Sequence, residues 1–425
     1  MKKILTLAAV GLVAASSLNA QPTVKASFTM RSNVASTDFD KWTFLDLDGY
    51  GNLANALLFS ASTKNVGIEL EIDPVISFVD TSGTGQWLKS LSLEKYNAWV
   101  TFGRNHEFTI RAGSWDDRAV GCVNSNALAF SGIDFEACKP GMISSINSGD
   151  LSLSTDISSQ CGSSSSKKLS GMFQYKNGGL ELRAAIMNLN FASNDGFVVT
   201  DKFNFGIDTF MVEAGYSLNN VGRFLATGKF AKEEFAAAAF FEPSFPFLKN
   251  LTALAGFTAE YRNSNKTTNH ADLWGWGIDL RAKYDFDRNI SVTTMNNFTL
   301  NQLDVQQTAP IKNGLAMENM INILYNIHPR KNDLKVYLNV RHYTGIGVDG
   351  KFLPKLLTAA ESSNADKLDW VSNFRISNDI EYNFNANAKV NAGVAFNILN
   401  CFNNQSSDNT PAFNIQVPVV FQVSF

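Results

Sequence analysis

The clearest periodicity in this chain is two. From Trp274 to Phe286, the residues Trp274, Trp276, Ile278, Leu280, Ala282, Tyr284 and Phe286 alternate with Gly275, Gly277, Asp279, Arg281, Lys283 and Asp285. Successive side chains of a strand point to opposite faces, so this stretch is a strand with one hydrocarbon face and one charged face. Leu334, Val336, Leu338 and Val340 alternate in the same way with Lys335, Tyr337, Asn339 and Arg341. So do Phe374, Ile376, Ile380, Tyr382 and Phe384 with Arg375, Ser377, Asp379, Glu381 and Asn383. The chain ends on Phe413, Ile415, Val417, Val419, Phe421, Val423 and Phe425, separated by mostly polar residues. Pro418 falls on the polar side there, and its missing N–H suits a bulge.

Extending the alternation along the chain predicts 18 strands, near 23–32, 52–62, 66–79, 94–103, 106–115, 168–176, 179–191, 205–218 and 221–231, then near 234–242, 250–262, 271–286, 289–301, 315–327, 333–344, 369–384, 388–398 and 413–425. The run Ala236 to Ala239 weakens the segment 234–242, and without it as a spanning partner the count falls to 16. The links alternate in length. Thr63-Lys64-Asn65, Arg104-Asn105, Asn177-Gly178, Asn219-Asn220, Asp287-Arg288 and Asn385-Ala386-Asn387 are short and carry hairpin residues. The links 33–51, 80–93, 116–167, 192–204, 302–314, 345–368 and 399–412 are long, whereas Lys232-Glu233 is short where a long link is expected. Aromatic residues gather at strand ends: Trp274, Trp276, Trp370 and Phe413 at one, Tyr284, Phe286, Tyr382, Phe384 and Phe425 at the other. A soluble sheet gives no reason for such sorting, whereas two interfacial girdles do.

Composition agrees with a surface half greasy and half wet. Charged residues make up 18 % of the chain and aromatic residues 12 %, with 33 Phe and a net charge of −3. That charge is too small to imply nucleic acid as a partner. Lys2 and Lys3, the apolar run Ile4 to Val13 and the small residues up to Ala20 read as a secretory signal peptide over 1–20, leaving 21–425 as one folded unit. No later apolar run is long enough for a membrane-spanning helix.

Alternating strands, asymmetric links and a terminal Phe425 together resemble the outer-membrane β-barrels of diderm bacteria, and porins among them. The resemblance implies an all-β transmembrane antiparallel barrel with short periplasmic turns and long extracellular loops. It also implies a channel for small polar solutes or ions, insertion by the barrel-assembly machinery with Phe425 as part of its signal, outer-membrane lipid around the wall and possible homo-oligomers. The alternative functions are a surface adhesin or antigen built on a barrel, and a substrate-specific importer.

The charged faces supply the pore-lining candidates. They are Arg111, Glu181, Arg183, Arg223, Lys229, Glu260, Arg262, Asp279, Arg281, Lys283, Lys335, Arg341, Arg375, Asp379 and Glu381, with Glu213, Asp285 and Glu318 as further acids. Near balance of sign argues for cross-strand pairing of many of them, since a ring of one sign is what sets selectivity. The link 116–167 is longer than a connection needs. In porins of similar arrangement one long loop narrows the barrel, and here Asp116, Asp117, Asp134 and Glu136 would make that constriction slightly negative. An outward-facing loop is the alternative. Cys122, Cys138, Cys161 and Cys401 are disulfide candidates, with Cys122–Cys138 the local pair and three connectivities open.

Other chemistry is thin. His106, His270, His328 and His342 show no metal-ligand spacing, and no cofactor motif appears. The stretch Asp46 to Asn52 resembles a calcium loop but lacks the later bidentate Glu, so it reads as a turn. An enzymatic barrel would need a Ser–His pair on one wall, for which only His342 is placed, on the lipid face by parity. The expectation is a protein without enzymatic activity.

Overall fold

The computed structural model describes residues 22–40, 42–46, 55–76, 88–114, 169–191, 205–206, 209–231, 234–264, 272–303, 312–346, 370–399 and 412–425. Its strands are β1 (Thr23–Thr37), β2 (Trp42–Asp46), β3 (Ala56–Ser62), β4 (Val66–Ile76), β5 (Leu88–Phe102), β6 (Glu107–Ser114) and β7 (Leu169–Asn177). There follow β8 (Leu180–Phe191), β9 (Phe205–Gly206), β10 (Thr209–Leu218), β11 (Gly222–Ala231), β12 (Glu234–Pro243) and β13 (Leu251–Arg262). The last are β14 (Leu273–Asp285), β15 (Ile290–Leu303), β16 (Lys312–Asn326), β17 (Leu334–Ile346), β18 (Trp370–Asn385), β19 (Ala388–Leu399) and β20 (Ala412–Ser424).

All neighbouring strands are antiparallel, and β1 pairs with β20, so the sheet closes on itself. The twenty segments form 18 staves. β2 and β3 both lie along β1, and β9 and β10 both lie along β8. Closure removes the free edges that a membrane would leave unsatisfied. β12 is a full stave despite its alanines, paired through its length with β11 and with β13 up to Phe241.

Polarity is reversed relative to a soluble sheet. Along β14, Trp276, Ile278 and Leu280 are 43 %, 41 % and 47 % exposed, while Asp279 and Arg281 are 0 % and 3 %. The exposed set continues round the wall through Phe173, Phe210, Phe257, Phe298, Ile321 and Ile380. Large apolar side chains outside and buried charges inside invert the usual distribution, which is stable only when the surroundings are hydrocarbon. The chain is a closed 18-stranded transmembrane-type barrel.

Short hairpins gather at one end, hereafter the turn end. Asn177 leads into Gly178 at φ +58°, and Asn219 into Asn220 at φ +62°. Both need the left-handed region, which Gly and Asn enter at least cost. Phe425 sits at this end, its N–H donating to the Ala26 carbonyl at 2.7 Å and its carbonyl accepting from Ala26 at 3.0 Å.

Two local features refine the wall. Pro418 stands opposite Asn33, and β1 bulges between Asn33 and Ala35. There the Val417 N–H donates to Asn33 Oδ1 at 3.1 Å, so a side chain replaces part of the ladder. The second feature corrects the sequence reading. The stretch 33–51, expected as a loop, is partly wall: β1 runs on to Thr37, and Trp42–Asp46 returns beside it. The second stave then resumes at Ala56, while residues 47–54 lie outside the described set. Between, Asn55 Oδ1 accepts the Arg31 N–H at 2.6 Å. Arg31, Ser32 and Asn33 are all under 8 % exposed, so neither face of β1 is lipid-exposed here and no apolar alternation is required.

Candidate functional site: the inner wall

The inner face is laid out by register. Across β14 to β19, one row runs Arg281, Met295, Met320, Arg341, Arg375, Asn397, and the next runs Lys283, Thr293, Asn322, Asn339, Ser377, Ala395. Side chains two apart on one strand and directly opposite on the next are within reach of each other, which is why pairing dominates.

Most charges on this face have a partner of opposite sign. Arg183 on β8 faces Glu213 on β10, 3.4 Å apart, while its guanidinium donates to Gln174 at 3.2 Å and Thr227 donates to Glu213 at 3.2 Å. Glu181 bridges two strands, taking Lys176 at 3.1 Å and Arg223 at 2.8 Å. The second contact crosses over β10, where Gly215 stands opposite Glu181. Arg281 donates its Nε–H to both Asp279 oxygens, at 2.8 and 3.1 Å. Arg341 is held by Glu318. Nearer the turn end, Lys283 meets Asp285 at 3.3 Å, and Glu381 gathers Lys335 at 3.1 Å and Lys389 at 3.9 Å.

Arg375 is held differently. It donates to amide oxygens, Asn397 Oδ1 and Gln416 Oε1, each at 3.0 Å. Asn397 in turn donates to Asn414 at 3.1 Å and Gln416 at 3.2 Å. This amide cluster spans three staves. Arg111 lies 5.1 Å from the Trp99 ring, a cation–π stack against the wall. Asp379 is fully buried, opposite Tyr337 and Gly393.

For three candidates only the register is fixed: Lys229 opposite Met211 and Ala236, Glu260 opposite Ala236 and Gly275, Arg262 opposite Glu234 and Leu273. Their side chains lie outside the described set. So do Asp116, Asp117, Asp134, Glu136 and the four cysteines, Cys122, Cys138, Cys161 and Cys401, together with the signal-peptide stretch 1–20.

The charged candidates leave out the apolar part of this face. Met211, Leu225, Phe240 and Leu254 lie on it, on β10 to β13, each under 6 % exposed. Phe240 lies flat over Gly256, where an added Cβ would come within 2.5 Å of its ring. Parity with Glu213 on β10, Arg223 on β11, Glu242 on β12 and Glu260 on β13 places all four inside, so the signal was present in the sequence. Trp99, in step with Asn97 and Glu69, was legible by the same rule.

His342 makes a contact outside this face. Its Nε2 lies 2.9 Å from Ser372 Oγ, and its ring stacks on Phe374 at 4.3 Å. Register puts it on the lipid side, beside Asn319 and Phe374. The described contacts of His342 include no carboxylate to orient it as a base, and Ser372 is 2 % exposed. No helix among the described residues is long and apolar enough to cross a membrane, and no group of three or more metal-ligating side chains is found among them.

No known family and no curated relative matches this sequence. Solved structures with a similar course include a BenF-like porin from Pseudomonas fluorescens, at TM-score 0.48 and 11 % identity over 96 % of this chain and 99 % of that one. Another is an anion-selective porin from Comamonas acidovorans, at TM-score 0.46 and 11 % identity over 95 % of this chain and 100 % of that one. A third is OmpT, an outer membrane protein of Vibrio cholerae, at TM-score 0.45 and 10 % identity over 95 % of this chain and 99 % of that one.

Proposed function

We propose that this barrel is a porin-like channel for passive diffusion of small polar solutes or ions across the outer membrane. The observation that carries the reading is the closed 18-stranded wall whose outer face is hydrocarbon and whose inner face holds paired charges and amides. Barrels of sixteen to eighteen strands leave an aqueous lumen, where eight would be filled by side chains. In this reading Glu181, Arg223, Lys283 and Lys335 are the wetted charges, joined by Arg111, Lys229, Glu260 and Arg262, while Arg183, Asp279, Arg281, Arg341, Arg375, Asp379 and Glu381, each 8 % exposed or less, hold the wall beneath them. Ion pairs such as Arg183–Glu213 and Arg281–Asp279 leave little net field, so discrimination between small cations and anions is weak.

The segment 116–167 narrows the lumen in this proposal, with Asp116, Asp117, Asp134 and Glu136 at the constriction. Supporting it, the link is far longer than a connection between neighbouring staves needs. Liposome swelling with sugars of graded size tests both parts. Flux that falls with solute size is expected, and deletion within 116–167 should raise the size limit. No flux above empty liposomes would remove the channel, and an unchanged limit after deletion would remove the constriction.

A further inference from the structure

The outer face over β10 to β13 differs from the rest of the hydrocarbon belt. One registered row there is small, Ala214, Ala226 and Ala239, while in the next row the Phe230 ring covers Gly228. Aromatic rows bound them, with Tyr216, Phe224 and Phe241 toward the turn end and Phe210, Phe230 and Phe235 toward the loop end. Phe224 and Phe241 stack at 4.5 Å, forming a firm lower rim. Between the Ala214–Ala226–Ala239 row and the turn-end aromatic row lies a depression of about 670 Å³ on the outside of the wall, floored by alanines. Volumes of this order hold small ligands. Phe257 on β13 and Ile278 and Leu280 on β14 close the depression on the far side.

A second observation concerns charge. The depression lies in the turn-end half, since Tyr216, Phe224 and Phe241 are each two residues from the end of their strand. Directly below is the turn joining β12 to β13, on which Phe247 is 98 % and Leu248 52 % exposed, followed by exposed Lys249. The described turns at this end carry Lys64, Arg104, Lys249, Arg288, Arg330 and Lys331. Their acids are Asp287, which caps Asn289 and Ile290, and Asp333, which holds His328 at 2.8 Å. Lys249, a cation at the foot of a greasy recess, matches a phosphate below acyl chains.

We infer that this recess is a binding site for one glycerophospholipid of the periplasmic leaflet, its chains over Ala214, Ala226 and Ala239 and its phosphate at Lys249. A second copy of the chain docked through the same patch fits poorly. Two concave faces brought together enclose an apolar void, which close-packed interfaces do not tolerate. A fluid chain fills the recess without such loss, and the exposed Phe247 and Leu248 enter the interface beside the headgroup.

Native mass spectrometry of the detergent-purified barrel, supplied with dioleoyl phosphatidylglycerol or phosphatidylethanolamine and then stripped, counts retained lipid. One molecule per barrel is expected. Ala239→Leu and Ala226→Leu should each cut retention about tenfold by filling the floor, and Lys249→Gln about fivefold. Ala392→Leu, on the outer face of β19 away from the recess, should leave it unchanged. Equal retention in Ala239→Leu and the native barrel overturns the site, as does a native barrel that keeps no lipid but forms oligomers which Ala239→Leu dissolves. Conductance is expected to survive all four substitutions, so loss of the lipid site and loss of the channel are read separately.

Discussion

Replacing Leu280 by Arg puts the reversed polarity of the wall to a quantitative test. Leu280 is 47 % exposed and stands four residues from both Trp276 and Tyr284 on β14. A strand rising about 3.4 Å per residue and tilted about 40° gains roughly 2.6 Å of height per residue. The two aromatics are therefore roughly 21 Å apart in height, close to the apolar band of about 25 Å, and Leu280 lies near its midplane. An arginine there should cost about 2–4 kcal/mol, falling to about 0–1 kcal/mol at an interface. Phe286→Arg, at the turn end, is the matched interfacial change. Urea unfolding of the barrel refolded into phospholipid vesicles, followed by tryptophan fluorescence, reads both. Equal costs for the two, or less than about 1 kcal/mol for Leu280→Arg, would contradict the assignment of this face to lipid.

Other expectations concern the inner wall and its closure. Arg183→Met should destabilise by about 3–5 kcal/mol because it strands the buried Glu213, and Arg183→Met with Glu213→Gln should recover much of that; equal unfolding midpoints for single and double variants would mean the pair is not coupled. Gly256→Ala should cost about 1–3 kcal/mol by displacing the Phe240 ring, and in a Phe240→Ala background the same change should cost little, since both clashing ring carbons, Cδ1 and Cε1, are gone; an equal cost in that background would place the strain elsewhere. Phe425→Ala should lower the yield of assembled, heat-modifiable barrel in cells. The refolded protein should lose less than about 1 kcal/mol, because the closing backbone bonds to Ala26 survive the substitution; an equal loss in both assays would make Phe425 a stability residue only.

The fold was legible wherever one face meets lipid. On β14, β17, β18 and β20 the hydrocarbon face must be continuous, so the period of two is strict and even the strand count follows. The signal failed where that demand lapses. Arg31 to Asn33 is polar wall, buried on both sides, and Trp42–Asp46 is only half a stave, so neither carries a long alternation. β12 was weak for the opposite reason, because alanine on both faces blurs the contrast.

The inner wall was legible in kind but not in pairing. Parity identifies Arg281 and Glu181 as facing the same way, yet which acid meets which base depends on the shear between staves. Arg223 reaching Glu181 across β10 is not deducible from spacing, nor is the amide cradle of Arg375. The recess outside β10 to β13 was likewise hidden, since alanine in a sequence reports a missing side chain but not what rims it.

Single-channel recording in planar bilayers bears most directly on the central claim. The purified barrel should insert with uniform stepwise conductance in symmetric salt, and with a small reversal potential in a salt gradient, as a lining of paired charges requires. Repeated reconstitution without steps, from protein that still shows heat-modifiable β-structure, would contradict it.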